Sequence, residues 1–556
     1  MYNVHFLYRY RTFIHYLKRG TLCLFLLCMF IPTFYFDIYL NSYLFFCIAS
    51  SIVVLSSIFL TITGHYKFTL LEIGILIVII IEFLRLIIQQ EILIYYQALL
   101  KMVILLCWMV NLRNLIRNDY SFAKKSLFYI LLIWLMIQFV CFIHIQDLLP
   151  IRFYNSVIFS TYISLIICFL SLNLPLKDGK VLKKTSFIIF TILLAATAIY
   201  FSSRASFIIL ITLILYKIRI RFPILLIITI ICTICLAFTL KTDSSLGRIL
   251  IWRSSFNIFT DNPGLGIGVG KFPNIYMDYQ QMFLNSIKVS DKMSFLAGNT
   301  SYAYNDFLEF LCKFGLLPSF IVLFTALITY KKVYIDSNSY FMIFLFFISS
   351  CISYFAQILY CQLLIITFIS TIRHNCINLS MIKRKYIFNG IFIMILTAST
   401  FLFFAKYNEY KTFIYKEKES YSSIPILHDN PQYLIRRATY LFANKEHNNV
   451  IKTLDTFSYY IKSDESELLY AKALIPLRQY QEAEEHLKKS IKMYPSKFKA
   501  RYELMILYKN HLKNHEKGLA VAREIVKLPE KIPTGLSLYI KRYAKNYINE
   551  SENGFI

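Results

Sequence analysis

The chain has 556 residues, of which 57% are hydrophobic and only 16% are charged. Soluble globular domains carry about 25% charged residues, so this composition excludes a soluble enzyme, a disordered scaffold and a fibrous protein. It predicts a polytopic membrane protein. The 59 Lys and Arg residues outnumber the 32 Asp and Glu residues, which gives a net charge of +27. Cytoplasmic loops of membrane proteins are rich in Lys and Arg, which explains this excess without nucleic-acid binding.

Membrane spans are predicted from the apolar stretches, because a bilayer core about 30 Å thick requires about 20 mainly apolar residues per helix. The segments that meet this requirement are 21–36, 43–62, 69–89, 92–112, 125–144, 154–172, 184–201, 205–217, 222–240 and 307–330. The first segment follows basic residues without a cleavage site, so we expect an uncleaved helix. The stretch 339–372 is too long for one helix, and serines near 349–353 predict a break into two short spans. A final span at 387–405 brings the predicted total to about thirteen in a membrane domain of residues 1–405.

Basic clusters predict which side of the membrane each loop faces. They lie at the N-terminus and near 65–67, 113–125, 177–184, 217–221, 331–332 and 373–385. An even number of predicted spans separates each cluster from the next, so all of them fall on one side, which the positive-inside rule makes cytoplasmic. The N-terminus is then cytoplasmic, whereas the polar stretch 241–304 and the tail after residue 405 lie outside.

The twelve cysteines lie in, beside or just past apolar stretches. Their positions favour small buried hydrophobic side chains over a disulfide framework. Cys232 and Cys235 have no metal-ligand spacing, because they stand inside a continuous apolar run. The sequence therefore predicts no metal site.

From about residue 406 the chain changes to a charged, helical pattern. Ala438, Val450 and Leu454 recur 33 residues later in a second set of small and apolar residues, and Pro495 follows where a 34-residue repeat would close. Residues 406–556 therefore resemble an α-helical domain of tetratricopeptide repeats. Such repeats bind a partner protein or pack on their own molecule, and the sequence leaves both roles open.

Four of the 15 glycines lie close together in the polar stretch, at Gly264, Gly266, Gly268 and Gly270. A phosphate-cradling glycine loop requires a Lys/Ser pattern or a βαβ context, and this segment has neither. The glycines instead predict a tight, irregular turn near the membrane face.

Arginines flank this turn on the predicted outer side. Arg248, Trp252 and Phe256 are spaced at i, i+4 and i+8, which places them on one helical face. Arg253 lies beside them, and Arg204 stands between the seventh and eighth spans. An arginine at a membrane boundary either snorkels to headgroups or binds a phosphorylated lipid, because guanidinium binds phosphate in a bidentate manner.

These motifs occur in the order S-R-A-S, G-R-x-x-x-W, D-N-P-G-L-G-I-G-V-G and A-Y-N-D-F-L, followed by F-G-L. Over about residues 200–320 this set resembles the O-antigen ligase and polymerase superfamily. The resemblance implies an inner-membrane glycosyltransferase for surface polysaccharide or lipopolysaccharide assembly. Members of this superfamily take a glycan from undecaprenyl pyrophosphate on the periplasmic side and pass it to a lipid A core, a growing polysaccharide or a protein. It also implies that Arg204 and Arg248 bind the pyrophosphate, and that no metal or nucleotide cofactor is needed.

The family's ligases carry a histidine three positions before an asparagine, but here Tyr302 precedes Asn305. Tyrosine, with a pKa near 10, is a poor general base at neutral pH. Three options stay open: Tyr302 positions the acceptor or a phosphate, Asp306 or Glu309 acts as the base, or the acceptor needs little activation. Asn305 and Asp306 also suit a helix N-cap. His144, at the outer end of the fifth span, is a further candidate base.

Charged residues inside predicted spans are costly, and they tend to pair or to mark a pathway. Glu72, Glu82, Arg85 and Lys101 are of this kind. Glu82 and Arg85 are three positions apart on one helix and are predicted to neutralise each other. Lys101 is predicted either to approach the pyrophosphate or to pair with an acidic residue.

The sequence does not separate a ligase from a polymerase or a protein oligosaccharyltransferase. The rival class is a transporter or flippase for a lipid-linked sugar, which predicts two-fold hydropathy symmetry and broken helices near the membrane centre. A receptor-like anchor that presents the repeats is a second rival. The expected partners are the lipid-linked glycan, its acceptor, membrane lipids and a protein bound by the repeat tail.

Overall fold

The computed structural model describes most of the chain. The described residues are 2–33, 37–63, 67–117, 119–144, 155–174, 180–220, 242–286, 290–331, 333, 335–372, 385–415, 424–530 and 533–552, with isolated positions between 224 and 235. Regular secondary structure in these ranges is helical, which confirms the predicted all-α class. The predicted span 222–240 and the basic cluster 373–385 lie largely outside the described residues.

The helices are numbered here in chain order. The N-terminal half contains α1 (Tyr2–Cys28), α2 (Ile38–Ile62), α3 (Leu70–Ile88), α4 (Ile92–Arg117), α5 (Tyr120–His144), α6 (Ser156–Leu172), α7 (Lys180–Tyr200), α8 (Arg204–Lys217), α9 (Thr242–Asp261) and α10 (Phe272–Ser286). The middle of the chain contains α11 (Asp291–Leu296), α12 (Asp306–Phe314), α13 (Leu316–Tyr330), α14 (Ser337–Ile352), α15 (Leu359–Thr371) and α16 (Lys385–Tyr415). The C-terminal part contains α17 (Pro431–Ala443), α18 (His447–Ser458), α19 (Asp464–Leu474), α20 (Tyr480–Met493), α21 (Lys499–Ile506), α22 (His515–Lys527) and α23 (Gly535–Glu552).

Contacts divide the chain into two compact units. The first unit comprises residues 1–241, 304–307 and 317–414, and the second comprises 242–303, 308–316 and 415–556. The first unit therefore holds most of the apolar helices, whereas the second joins the polar loop segment to the tail. The boundary at residue 405 that the sequence suggests stays a prediction.

Several helices are compatible with a membrane bundle. Five described helical segments are long and apolar enough to cross a bilayer: Thr12–Thr33, Ile38–Ile62, Ile94–Arg117, Tyr120–Val140 and Lys183–Tyr200. The helices α6, α14 and α15 are apolar but shorter. The total of about thirteen spans stays a prediction.

The long apolar stretch after residue 339 breaks where its serines predict. Helix α14 ends at Ile352, and Ser353 adopts an extended backbone as its C-cap. A single 3₁₀ turn, Phe355–Gln357, then leads into α15. The predicted division into two short helices is therefore confirmed.

The predicted span over 307–330 is not one straight helix, and whether it crosses the membrane stays a prediction. Helices α12 and α13 are bent by 119° at Gly315, which has a φ of +70°. A right-handed helix cannot continue through this left-handed backbone conformation. The bend places the end of α12 and the start of α13 in different directions.

Two ion pairs of buried residues lie in the first unit. The predicted pairing of Glu82 with Arg85 is confirmed, and both side chains are buried. Glu72 forms a capping box with Thr69 at the start of α3, and its Oε1 lies 2.6 Å from Nε of Arg113 on α4. The Glu72–Arg113 pair joins α3 to α4, whereas the Glu82–Arg85 pair lies within α3. Loss of one partner of such a pair is strongly unfavourable, because it leaves a buried charge without its counter-charge.

Small residues allow the helices of the tail to pack closely. The repeated alanines Ala438, Ala471 and Ala483 are fully buried, and α17 packs on α18 as α19 packs on α20. Their identity as tetratricopeptide repeats stays a prediction.

The contacts of Glu467 in α19 lead us to predict that the stability of the tail depends on pH. Its carboxylate accepts hydrogen bonds from His486 at 2.7 Å and Lys489 at 2.6 Å. Burial alone would raise the pKa of Glu467, but these bonds outweigh it and hold the pKa below the ordinary value of 4.5. A lowered pKa contributes stability above the unfolded-state value of about 4.3, and this stability is lost as pH falls through the folded-state value. The measurement is hydrogen exchange in urea. We expect the protection of amides in α19 and α20 to decrease as pH falls from about 4.3 through the folded-state pKa of Glu467.

The variant Glu467→Gln should lose about 1–3 kcal/mol at pH 7 and show a weaker pH dependence below pH 5. The matched control is Glu465→Gln, because the side chain of Glu465 is 70% exposed and exposed pairs contribute little. An acid transition of unchanged size in Glu467→Gln would contradict the assignment.

Candidate active-site loop

The glycine-rich turn caps the C-terminal end of α12. The Ile267 N–H donates to the Cys312 carbonyl at 2.8 Å, and the Gly268 N–H donates to the Lys313 carbonyl at 2.8 Å. The last carbonyls of a helix have no partner within the helix, so a distant segment of the chain satisfies them here. The predicted tight turn is confirmed by positive φ angles at Gly266, Gly268 and Gly270.

Two glycines are required where this turn meets α12. A Cβ atom at Gly266 would lie 2.5 Å from the backbone of Lys313, and one at Gly315 would lie 2.4 Å from the Gly264 carbonyl oxygen. The Leu316 N–H also donates to the Pro263 carbonyl at 2.8 Å. Sequence reasoning missed Gly315, although a glycine directly after an apolar helix is a usual C-terminal stop signal.

Glu309 fixes the segment that precedes α12. The carboxylate is fully buried, its Oε2 accepts from the Ala303 N–H at 2.9 Å, and its Oε1 lies 2.6 Å from Nζ of Lys313. Both carboxylate oxygens of Glu309 are therefore engaged by groups close to it in the sequence. This arrangement favours a structural role for Glu309 over that of a general base.

Asp306 makes different contacts, with residues of the first unit. Its Oδ2 accepts from the Ala356 N–H at 2.8 Å, and its Oδ1 accepts from Nε2 of Gln357 at 3.3 Å. Asp306 therefore anchors the start of α12 to the 3₁₀ turn between α14 and α15.

Two tyrosines that sequence reasoning missed lie near this anchor. Tyr304 has a φ of +53°, and its ring meets the ring of Tyr354 edge to face at 4.8 Å. The Tyr354 hydroxyl accepts from Nδ2 of Asn155 at 2.6 Å. Strained backbone in non-glycine residues clusters at functional sites. The positive φ of Tyr304 is the signal that marks these tyrosines, and it is visible only in the structure.

Tyr302 lies in a short turn of the second unit. Oγ1 of Thr300 donates to the Tyr302 carbonyl at 2.9 Å and accepts from the Tyr302 N–H at 3.2 Å. The tyrosine is half-buried, and the next residue, Ala303, is held by Glu309. Asn305 belongs with Asp306 to the first unit.

Helix α9 confirms the predicted helical spacing. Leu250, Ser254 and Ile258 are buried on one face. Arg248 and Trp252 are half-buried and Phe256 is 54% exposed on the opposite face, and Arg253 is exposed. Arg248 thus lies on the face of α9 opposite Leu250, Ser254 and Ile258.

Arg204 begins α8 in the first unit. Oγ of Ser203 caps the helix by accepting from the Ser206 N–H at 3.3 Å, and Oγ of Ser206 lies 2.7 Å from Oγ of Ser160. A helix N-terminus carries a partial positive charge that favours anions. Lys101 on α4 places its Nζ 5.5 Å from the centre of the Phe46 ring, a cation–π distance.

Other titratable groups add little to the site. Burial and the Asp261 carboxylate, which accepts from the hydroxyl at 2.8 Å, raise the pKa of Tyr279 to about 12. The predicted candidate His144 ends α5, and its side chain lies outside the described residues. Within the described part of the chain, no three His, Cys, Asp or Glu side chains are grouped to hold a metal ion.

The apolar helices, with a polar loop between α8 and α13, define a helical membrane protein with an elaborated loop. Residues 156–324 match the model of a family described as O-antigen ligase. This match confirms, for this part of the chain, the resemblance to the O-antigen ligase superfamily seen in the sequence. Comparison with curated proteins and with solved structures gave no match. The family implies a bacterial membrane protein with glycosyl transfer of the ligase or polymerase type.

Proposed function

We propose that the protein transfers a glycan from undecaprenyl pyrophosphate to an acceptor on the periplasmic side of the bacterial inner membrane. The match of residues 156–324 to the O-antigen ligase family carries this proposal. We favour transfer of the ligase type, in the assembly of surface polysaccharide or lipopolysaccharide. A polymerase or a protein oligosaccharyltransferase of the same superfamily is the alternative.

The proposed reaction is a displacement at the anomeric carbon of the donor sugar. An acceptor hydroxyl attacks this carbon from the face opposite the pyrophosphate and forms the new glycosidic bond. The bond between the anomeric carbon and the pyrophosphate oxygen breaks, its electron pair leaves with the pyrophosphate, and the hydroxyl proton passes to water. Arg248 binds the departing pyrophosphate, because a guanidinium stabilises phosphate charge through paired hydrogen bonds. Arg204, Arg253 and Lys101 are further candidates for phosphate binding.

The contacts of the two acidic candidates limit the choice of base. Glu309 is buried against Lys313, and Asp306 accepts from two donors. A general base must reach the proton that it removes, so we assign both residues positioning roles. Tyr302 then orients the acceptor through its hydroxyl, in a reaction that relies on the leaving group more than on a strong base.

Tyr302→Phe should lower the rate of transfer about tenfold, the value of one positioning hydrogen bond of about 1.4 kcal/mol. Tyr302→His should keep more activity, with a rate that rises as pH passes about 6.5, because neutral imidazole is a competent base. Initial rates from pH 5.5 to 8.5 measure both effects. Wild-type activity in Tyr302→Phe would exclude a role for the hydroxyl.

The function is tested with the purified full-length protein and a labelled lipid-linked glycan. Separate reactions offer a lipid A core, unlabelled lipid-linked glycan or a protein acceptor, so the labelled product distinguishes ligase, polymerase and oligosaccharyltransferase. The bent pair α12–α13 resembles the broken helices that transporters contain. A fourth experiment therefore measures whether the protein moves the glycan lipid across the membrane of vesicles. Movement without transfer to any acceptor would overturn the proposal.

A further inference from the structure

The tail and the polar loop segment share one apolar core in the second unit. Met493, at the end of α20, is fully buried with Phe272, Tyr276 and Met277 of the loop and with Cys312 of α12. A methionine in this position completes a core that the loop segment alone leaves open. The core includes the helix that the glycine-rich turn caps.

Polar contacts join the same surfaces. Nε2 of Gln280, a buried loop residue, donates to the Met493 carbonyl at 2.9 Å. The ammonium of Lys462, in the turn before α19, binds the carboxylate of Asp278 on α10. A buried amide that donates to a carbonyl of the other segment is costly to leave unpaired, so this interface is specific in register as well as apolar.

Asp464, the first residue of α19, connects the tail to the candidate segment. The residue is 3% exposed. Its Oδ1 accepts from Nδ2 of Asn299 at 2.6 Å, and its Oδ2 lies 3.0 Å from Nζ of Lys497. Burial raises the pKa of Asp464 in opposition to Lys497 and Asn299, which favour the charged form. The carboxylate is therefore held by one donor from the tail and one from the loop.

The segment 299–303 is fixed at both ends. Asn299 is bound by Asp464 of the tail, and the Ala303 N–H is bound by Glu309 of α12. Thr300 closes the turn around Tyr302 between these two anchors. The position of the Tyr302 backbone thus depends on a residue of the C-terminal tail that lies more than 150 residues away in the sequence.

We propose that the C-terminal tail is the positioning scaffold of the active-site loop, and that Asp464 acts on Tyr302 through Asn299. The proposal rests on the proposed transfer function. The faces of α19 and α20 that carry Asp464 and Met493 then bind the protein's own loop. In a tail that serves only to bind a partner protein, these faces would be exposed. Asp464 is a positioning residue, because it acts on the acceptor site only through the loop.

The test compares full-length variants in the transfer assay. Asn299→Ala removes the loop half of the bond at a partly exposed position, so the fold is retained. We expect kcat to fall about tenfold while KM for the donor stays within about twofold of wild type. Asn299→Asp places two carboxylates together and should be slower still. The double variant Asn299→Asp with Asp464→Asn exchanges the two side chains, so that position 464 donates and position 299 accepts. It should be more active than Asn299→Asp alone.

A matched control is Asp455→Asn on α18, whose carboxylate accepts from the Tyr470 hydroxyl at 3.0 Å within the tail. It should transfer at the wild-type rate with the same melting temperature. Hydrogen exchange at the amides of residues 300–303 is the second readout, and it should become at least severalfold faster in Asn299→Ala but not in Asp455→Asn.

Wild-type rates and unchanged exchange at 300–303 in Asn299→Ala and Asn299→Asp would overturn the scaffold. So would a double variant no faster than Asn299→Asp, because the effect would then not act through this pair. If the wild-type protein transfers glycan to none of the acceptors, the proposed function fails. In that event the exchange measurement alone decides whether the tail holds the loop.

Discussion

Arg248→Ala is expected to lower kcat/KM for glycan transfer by two to three orders of magnitude. A bidentate guanidinium–phosphate contact provides two charged hydrogen bonds, together about 3–4 kcal/mol, and about 1.4 kcal/mol corresponds to tenfold in rate. The effect should appear mainly in kcat, because the negative charge on the leaving pyrophosphate increases in the transition state. Arg248→Lys keeps the charge but loses the planar fork, so an intermediate loss of about tenfold is expected.

The helix that carries Arg248 should remain folded in these variants, because Leu250, Ser254 and Ile258 form its buried face. Lys292→Ala is the matched control. Lys292 is also a basic loop residue, but it forms an exposed pair with Asp243 at 2.8 Å. Initial rates over a range of labelled donor concentrations separate kcat from KM. If Arg248→Ala and Lys292→Ala are equally active, Arg248 has no role in pyrophosphate binding.

Gly315→Ala is expected to cause the largest loss of stability in the second unit. Its φ of +70° costs an L-amino acid about 1–2 kcal/mol. The added Cβ would also lie 2.4 Å from the Gly264 carbonyl oxygen and 2.5 Å from the Gly266 nitrogen. These are backbone atoms that cannot rotate away, so the cap on α12 must open. We expect a total loss of about 3 kcal/mol or more and, with it, most of the transfer activity.

Gly264→Ala is the control for this variant. It makes the same chemical change in the same turn, but no heavy atom lies within 4 Å of a Cβ added at Gly264. Thermal unfolding of the purified protein should therefore show a clear decrease for Gly315→Ala and little change for Gly264→Ala. Equal melting temperatures for the two variants would show that the turn does not pack against α12 as described.

Local patterns in the sequence predicted the local features of the structure. The spacing of Arg248, Trp252 and Phe256 predicted α9, the glycine cluster predicted the turn, and the separation of Glu82 and Arg85 predicted their pairing. In each case the interacting residues are close in sequence, so periodicity and residue chemistry are sufficient. The family resemblance also followed from short motifs in a fixed order.

Features that depend on distant partners were not predictable in this way. Asp306 and Glu309 look equivalent as candidate bases in the sequence, yet Asp306 binds a turn 50 residues later. The break at Gly315 depends on a turn that begins some 50 residues earlier. The sequence left open whether the tail binds a partner or its own molecule, because a buried face does not reveal what covers it.

The composition of the second unit has a consequence for how the protein is made. Its parts, 242–303, 308–316 and 415–556, are synthesised at different times, and the loop core lacks Met493 until the chain is nearly complete. At about 5–20 residues per second, the delay between synthesis of Phe272 and of Met493 is on the order of tens of seconds. The helices α13 to α16 are made during this interval, while the loop core is still open. A chain that terminates before Met493 would therefore lack the methionine that closes this core.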